Sequence, residues 1–261
     1  MLRPRIIPVL LLHQGGLVKT RQFREPKYVG DPLNAVRIFN EKEVDELVVA
    51  DIDATVSGKP PDVALIRRLA AECRMPLCYA GGVASAAQFE ELVSLGVEKV
   101  AVGAAAVVKP ALISEAAERV GGQSVVAVLD VSRTGGGGQY EVCTHNGSRK
   151  TGYPPVELAM DFESRGAGEL LINNIDRDGE GVGYDLELVA SIRERTRLPL
   201  SVLGGAGSLA DLEALIQRFG VIGAAAGTVF VMKGKHRAVL IQYPDRSTKE
   251  HIGRIPGGAR A

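Results

Sequence analysis

The sequence predicts an α/β protein, a single (β/α)8 TIM barrel made of two repeated (βα)4 halves. Three observations predict it. Short apolar, β-branched runs alternate with amphipathic helical stretches; there are eight such runs; and the second half of the chain repeats the first.

The runs are 5–11 (RIIPVLL), 46–52 (ELVVADI), 76–80 (PLCYA), 98–103 (EKVAVG), 124–130 (SVVAVLD), 169–174 (ELLINN), 199–203 (PLSVL) and 221–226 (VIGAAA). They are apolar on both faces, as parallel strands covered by helices on one side and a barrel interior on the other must be. Between them lie helical patterns such as DVALIRRLAAEC (62–73), SAAQFEELVSLG (85–96), PPVELAMDFESRG (154–166) and SLADLEALIQRFG (208–220). Ser85 and Ser208 are placed as N-caps, and Gly96, Gly166 and Gly220 as stops. The barrel is expected over 1–243, with halves of about 1–122 and 123–243. The polar, glycine-containing tail at 244–261 is expected to be flexible.

The repeat is the strongest of the three observations. ELVVADID (46–53) recurs as ELLINNID (169–176), and PLCYAGGVASAAQFEELVSLG (76–96) recurs as PLSVLGGAGSLADLEALIQRF (199–219), both at an offset of 123 residues. The opening strand recurs as 124–130 at an offset of 119. So long a period is that of two half-barrels rather than a solenoid.

Composition excludes several function classes. The 31 Lys and Arg balance the 31 Asp and Glu, with no block of like charge, which argues against a nucleic-acid groove or a membrane patch. Three cysteines (Cys73, Cys78, Cys143) give neither a disulfide framework nor a metal spacing, and suit a reducing cytoplasm. No cofactor or metal is implied. The run at 6–12 is too short for a signal peptide, and no segment approaches the roughly 18 apolar residues of a membrane span.

Barrel enzymes carry their sites at the C-terminal ends of the strands. There the sequence places Gly81-Gly82, Gly103-Ala104, Gly204-Gly205 and Gly227-Thr228. Such turns are either tight strand-to-helix connections or anion cradles of backbone N–H groups. Because they occur in both halves, two facing phosphate sites (Gly82, Gly103 and Gly179, Gly205, Gly227, Thr228) are the favoured reading, for a substrate phosphorylated at both ends. The carboxylates at these ends are Asp51, Asp53, Asp130, Asp176 and Asp178. The turn-rich NNIDRDGEGVGYD (173–185) makes Asp176 and Asp178 candidate loop caps. Asp130 ends the run VVAVL and is either a loop cap or a partly buried acid–base group. Where this second copy has Asp130, the first has Leu11. At the opposite face Arg5, Glu46, Lys99 and Glu169 each begin a strand; they are either solvated strand ends or two cations and two anions turned into the barrel axis.

Together these residues resemble the cyclase subunit of imidazole-glycerol-phosphate synthase, from residue 2 to about 232. RIIP, GDP (30–32), DELV (45–48), RGAGELL (165–171), IDRDG (175–179), GYD (183–185) and GGAG (204–207) carry the resemblance. It implies a glutaminase partner on the N-terminal face, ammonia entering through Arg5, Glu46, Lys99 and Glu169, and a bisphosphorylated substrate at the far end. It also assigns Lys19 to a flexible first loop, places Asp51, Asn173, Asp176 and Asp178 on the active-site face, and makes Asp130 the second of two catalytic aspartates.

The sequence departs from that pattern at the reaction end. Leu11 replaces the first aspartate, Gly103-Ala104 stands where the family offers Asn-Thr, and Ala80-Gly81-Gly82 replaces a glycine triplet. GGLVKT (15–20), DPLNAVRIFNEKEVDEL (31–47), MPLCYAGG (75–82) and KGKHRAVLIQYP (233–244) are more similar to a paralogue branch found beside sugar amidotransferases of surface-polysaccharide pathways. That branch implies ammonia supply from a glutaminase-like partner for amidation of an N-acetyl sugar. The alternatives are a genuine histidine-pathway cyclase, a non-catalytic scaffold that activates the glutaminase, and an isolated phosphosugar isomerase.

Overall fold

The structure, a computed structural model, describes residues 3–135, 138–234 and 236–254. The first half runs β1 (Arg5–His13), β2 (Gly16–Arg21), β3 (Arg24–Gly30), α1 (Pro32–Glu41), β4 (Leu47–Asp51), α2 (Val63–Glu72), β5 (Leu77–Ala80), α3 (Ala86–Ser94), β6 (Lys99–Val102), α4 (Ala104–Val108) and α5 (Ala111–Val120). The second runs β7 (Val125–Thr134), β8 (Gln139–Thr144), β9 (Arg149–Lys150), α6 (Pro155–Ser164), β10 (Glu169–Asn174), α7 (Leu186–Arg193), β11 (Leu200–Leu203), α8 (Leu209–Phe219), β12 (Gly223–Ala226) and α9 (Thr228–Val231). A short pair, β13 (Met232–Lys233) and β14 (Ala238–Val239), and α10 (Arg246–Ile252) follow.

Strands β1, β4, β5, β6, β7, β10, β11 and β12 pair in that order, all parallel, and β12 returns to β1. The expected (β/α)8 barrel is therefore borne out, strand for strand. Two apolar layers hold it. Leu10, Phe39, Leu47, Phe89, Leu112 and Phe162 belong to the shell between strands and helices. Ile7, Val9, Val48, Cys78, Ala101, Val126, Leu171 and Ala225 fill the barrel axis, with Leu11, Ala80, Val128 and Leu203 packed against them.

The repeat survives in backbone detail. Ser85 caps α3 with Gln88, and its mate Ser208 caps α8 with Asp211, each forming a reciprocal capping box. Gly81 (φ +120) and its mate Gly204 (φ +91) turn the chain where a Cβ would lie 2.4 Å from the Asp51 carbonyl and 2.3 Å from the Asn174 carbonyl. Asp51 and Asn174 are themselves repeat mates. Only glycine fits both the backbone angle and the approach.

Two features differ from the sequence expectation. The first loop is an ordered antiparallel hairpin, β2–β3, and β8–β9 repeats it after β7. The tail expected to be flexible instead carries α10, because Asp245 caps it through Thr248 N at 2.8 Å and Ile252, 2% exposed, joins the core. Lys249 Nζ ties α10 to Asp45 Oδ1 at 3.1 Å and to the Glu43 carbonyl at 2.9 Å. The last part of that tail, 255–261, lies outside the described residues.

Candidate functional site

At the C-terminal ends of the strands, Leu11 and Asp130 line one cavity of about 150 Å³, together with Asp51, Asn173 and Gly103. Most of the remaining wall is apolar, including Val9, Val48, Ala101 and Leu171. The side chain of Asp130 is packed among protein atoms but faces this cavity. Burial pushes its carboxyl up to about 6; the Asn173 amide, donating from Nδ2 to Oδ1 at 3.0 Å, pulls it down, and the Asp178 charge adds to the rise. The other end of the Asn173 amide, Oδ1, is buried without a partner among the described residues.

Lys19 lies on β2 and is 4% exposed. Its ammonium donates to Asp178 Oδ1 at 3.0 Å and to the Thr20 carbonyl at 2.6 Å, while Thr20 Oγ1 donates to Asp178 Oδ2 at 3.1 Å. Burial lowers the Lys19 pKa, against the raising influence of Asp178. The buried Asp178 thus pins the hairpin across the mouth. Asp176, two residues earlier, is exposed and accepts from Arg133 N at 2.7 Å, so it ties its own turn to β7 and is not part of the cavity wall. Asp51 likewise accepts from Asp53 N and Ala54 N, but it does reach the cavity.

The two glycine-lined sites differ. In the first half Gly82 and Gly103 line an open hollow of about 540 Å³ with Lys59 and Lys109 at its rim. In the second, Gly179, Gly205, Gly227 and Thr228 surround a hollow of only about 10 Å³, because the Lys19 chain occupies it; a Cβ on Gly227 would lie 3.0 Å from Lys19 Cδ and Cε. Thr228 Oγ1 is buried without a partner among the described residues, as a donor awaiting an acceptor would be. Its mate in the first half is Ala104, which has no hydroxyl. Among the described residues no three His, Cys, Asp or Glu side chains converge as metal ligands.

At the opposite end, Arg5, Glu46, Lys99 and Glu169 close a ring. Arg5 Nη1 donates to Glu46, and Arg5 Nη2 donates to Glu169 Oε1 at 2.7 Å. Lys99 Nζ reaches Glu46 Oε2 and Glu169 Oε2, each at 2.9 Å. Burial pushes the Glu169 carboxyl up, but hydrogen bonds and charge from Arg5, the Lys99 ammonium and the Ser201 hydroxyl outweigh it and hold the group below its ordinary value. The same contacts raise Arg5 and Lys99 against the opposing effect of burial.

Several lining residues escape the sequence reading. Thr20 and Phe23 come from β2–β3, Asn146 from the turn after β8, and Thr55 from the loop after β4. Asn146 Nδ2 donates to the Ile52 carbonyl at 2.8 Å, bracing the mouth. The signal for the second hairpin is His145-Asn146-Gly147, all at positive φ, between alternating residues.

A closed (β/α)8 barrel with glycine-lined hollows and a carboxyl-bearing cavity at its C-terminal mouth has its candidate site at the end where barrels of this fold carry theirs. The profile of the histidine biosynthesis protein family matches residues 5–236. A Leptospira interrogans protein provisionally named imidazole glycerol phosphate synthase subunit HisF is 54% identical over 252 residues, covering 97% of this chain and 99% of its own. Similarly named proteins of Vibrio vulnificus and Pseudomonas aeruginosa are each 50% identical, over 250 and 245 residues, covering 96% and 94% of this chain and 96% and 97% of their own. The chain belongs to the histidine biosynthesis protein family, and the resemblance to the cyclase subunit of imidazole-glycerol-phosphate synthase is borne out.

Proposed function

We propose that this chain is the cyclase-type barrel subunit of a glutamine amidotransferase complex. It receives ammonia from a glutaminase-type partner docked on its N-terminal face and supplies it for amidation of an N-acetyl sugar in lipopolysaccharide or other surface-polysaccharide biosynthesis. The observation that carries this reading is the contrast between the two ends of the barrel. The four ring charges pair completely, two cations with two carboxylates, at the foot of an apolar axis. At the reaction end a leucine faces the remaining carboxyl. Leucine transfers no proton, and losing one of two acid–base groups costs about 10²–10⁴ in rate.

The second reading is a genuine cyclase of histidine biosynthesis. The retained Asp130, with its pKa of about 6, and the unpartnered hydroxyl of Thr228 favour it. A steady-state assay with ammonium salt and the histidine-pathway bisphosphate separates the two. We expect little or no cyclisation; turnover comparable to an authentic cyclase establishes the second reading. Co-purification with a glutaminase-type protein encoded beside the chain is expected on either reading, and its absence removes both.

A further inference from the structure

The charged ring has a fifth polar member. Ser201, on β11, is 3% exposed and its hydroxyl bridges the ring: it donates to Glu169 Oε1 and accepts from Arg5 Nη2 at 3.3 Å. Room for it is made by Gly223 on β12, whose register partners are Ser201 and Arg5. A Cβ at Gly223 would lie 2.0 Å from Ser201 Oγ. A hydroxyl inside a barrel is costly unless bonded, and this one is bonded on both sides. The ring is therefore unequal. Glu169 is held by Arg5, Lys99 and Ser201, whereas Glu46 is held by Arg5 and Lys99.

We propose that Ser201 is a positioning residue of the gate: it latches Glu169 to Arg5 and keeps the ring shut in the isolated chain. The consequence for ammonia rests on the gate reading above, but closure itself does not. A built-in reporter lies directly inside the ring. Cys78, the repeat mate of Ser201 on β5, packs in the axial cluster and feels all four ring charges. Its thiol is 2% exposed, and reagent arriving from the N-terminal face must pass the ring.

The experiment is methanethiosulfonate labelling of the full chain, with each cysteine followed separately by mass spectrometry. Ser201→Ala removes a hydrogen bond to a charged group, so Cys78 should react on the order of tenfold faster. Cys143, buried near the other end of the barrel, should keep its rate. Gly223→Ala, which displaces the Ser201 hydroxyl, should act likewise, and the double variant should exceed neither single one. Unchanged Cys78 rates in both variants, or equal increases at Cys78 and Cys143, overturn the latch. Labelling needs no partner, so a faster Cys78 in the isolated Ser201→Ala chain together with unaltered ammonia transfer by the same variant in the glutaminase complex would leave the latch standing and sink the gate reading alone.

Discussion

Leu11 on β1 and Asp130 on β7 line one cavity, each at the point where its strand pairs with its own hairpin, Leu11 with Val18 and Asp130 with Cys143. The two halves of the barrel thus present one apolar and one acidic group at equivalent places. This pairing carries the first two predictions.

Leu11→Asp puts a second carboxyl into that apolar-walled space opposite the first. Burial and mutual repulsion raise both pKa values, so the penalty exists where the groups are ionised and shrinks as they take up protons. Denaturant unfolding should show a loss of about 1–3 kcal/mol at pH 8 and a smaller loss at pH 5. Equal losses at both pH values would mean that the two positions do not share an environment.

Asp130 alone has a folded pKa raised from 3.8 to about 6. Its favourable contribution is present below the unfolded value and is lost as pH rises through about 6. Asp130→Asn keeps an acceptor for Asn173 without the charge. It should be more stable than the wild type by about 3 kcal/mol above pH 7 and indistinguishable from it below pH 4. A variant less stable at neutral pH would show that the carboxylate is stabilised by contacts other than those of Asn173.

Asp178→Ala leaves the buried Lys19 ammonium and the Thr20 hydroxyl without their shared acceptor. Amide hydrogen exchange in β2 and β3 should quicken by at least about tenfold while the axial strands keep their protection. Uniform quickening throughout would mean that Asp178 supports the barrel rather than the hairpin.

Gly205 (φ +114) faces the Gly183 carbonyl so closely that a Cβ would lie 2.1 Å from it, whereas Gly58 (φ +62) has nothing within 4 Å. Gly58→Ala should cost about 1 kcal/mol from its backbone angle alone. Gly205→Ala should cost at least about 3 kcal/mol, because the connection must also move. Similar melting temperatures for the two variants would contradict the close approach.

What was legible in the sequence follows from burial. Barrel strands are covered on both faces, so 6–12 and 170–172 could only be apolar runs, and duplication makes Ser85 and Ser208 confirm one another. The first hairpin is not legible, because β3 is exposed over 24–28 and carries no core face, whereas the second leaves only the turn signal His145-Asn146-Gly147. Lys19 reads as a loop lysine until Asp178, 159 residues away, buries it. Asp176 and Asp178 share one turn-rich stretch, and only the three-dimensional path turns one toward Arg133 and the other toward Lys19. Helix α10 escapes the sequence reading because its one buried apolar residue is Ile252, and the rest of its hold is polar, Lys249 on Asp45 and His251 beside Glu213.

On the proposed function, ammonia passes the charged ring of this chain on its way to a sugar acceptor. The measurement uses the complex with a glutaminase-type partner, amide-¹⁵N-glutamine, and the acceptor enzyme, comparing label in free ammonium with label in amidated sugar. Lys99 bonds to both carboxylates of the ring, so Lys99→Ala opens it without touching the mouth. The wild type should deliver most of the label to the sugar, and Lys99→Ala should release it as free ammonium with the barrel still folded. Identical partitioning in the two proteins would contradict passage through the ring and leave the chain a scaffold for the glutaminase.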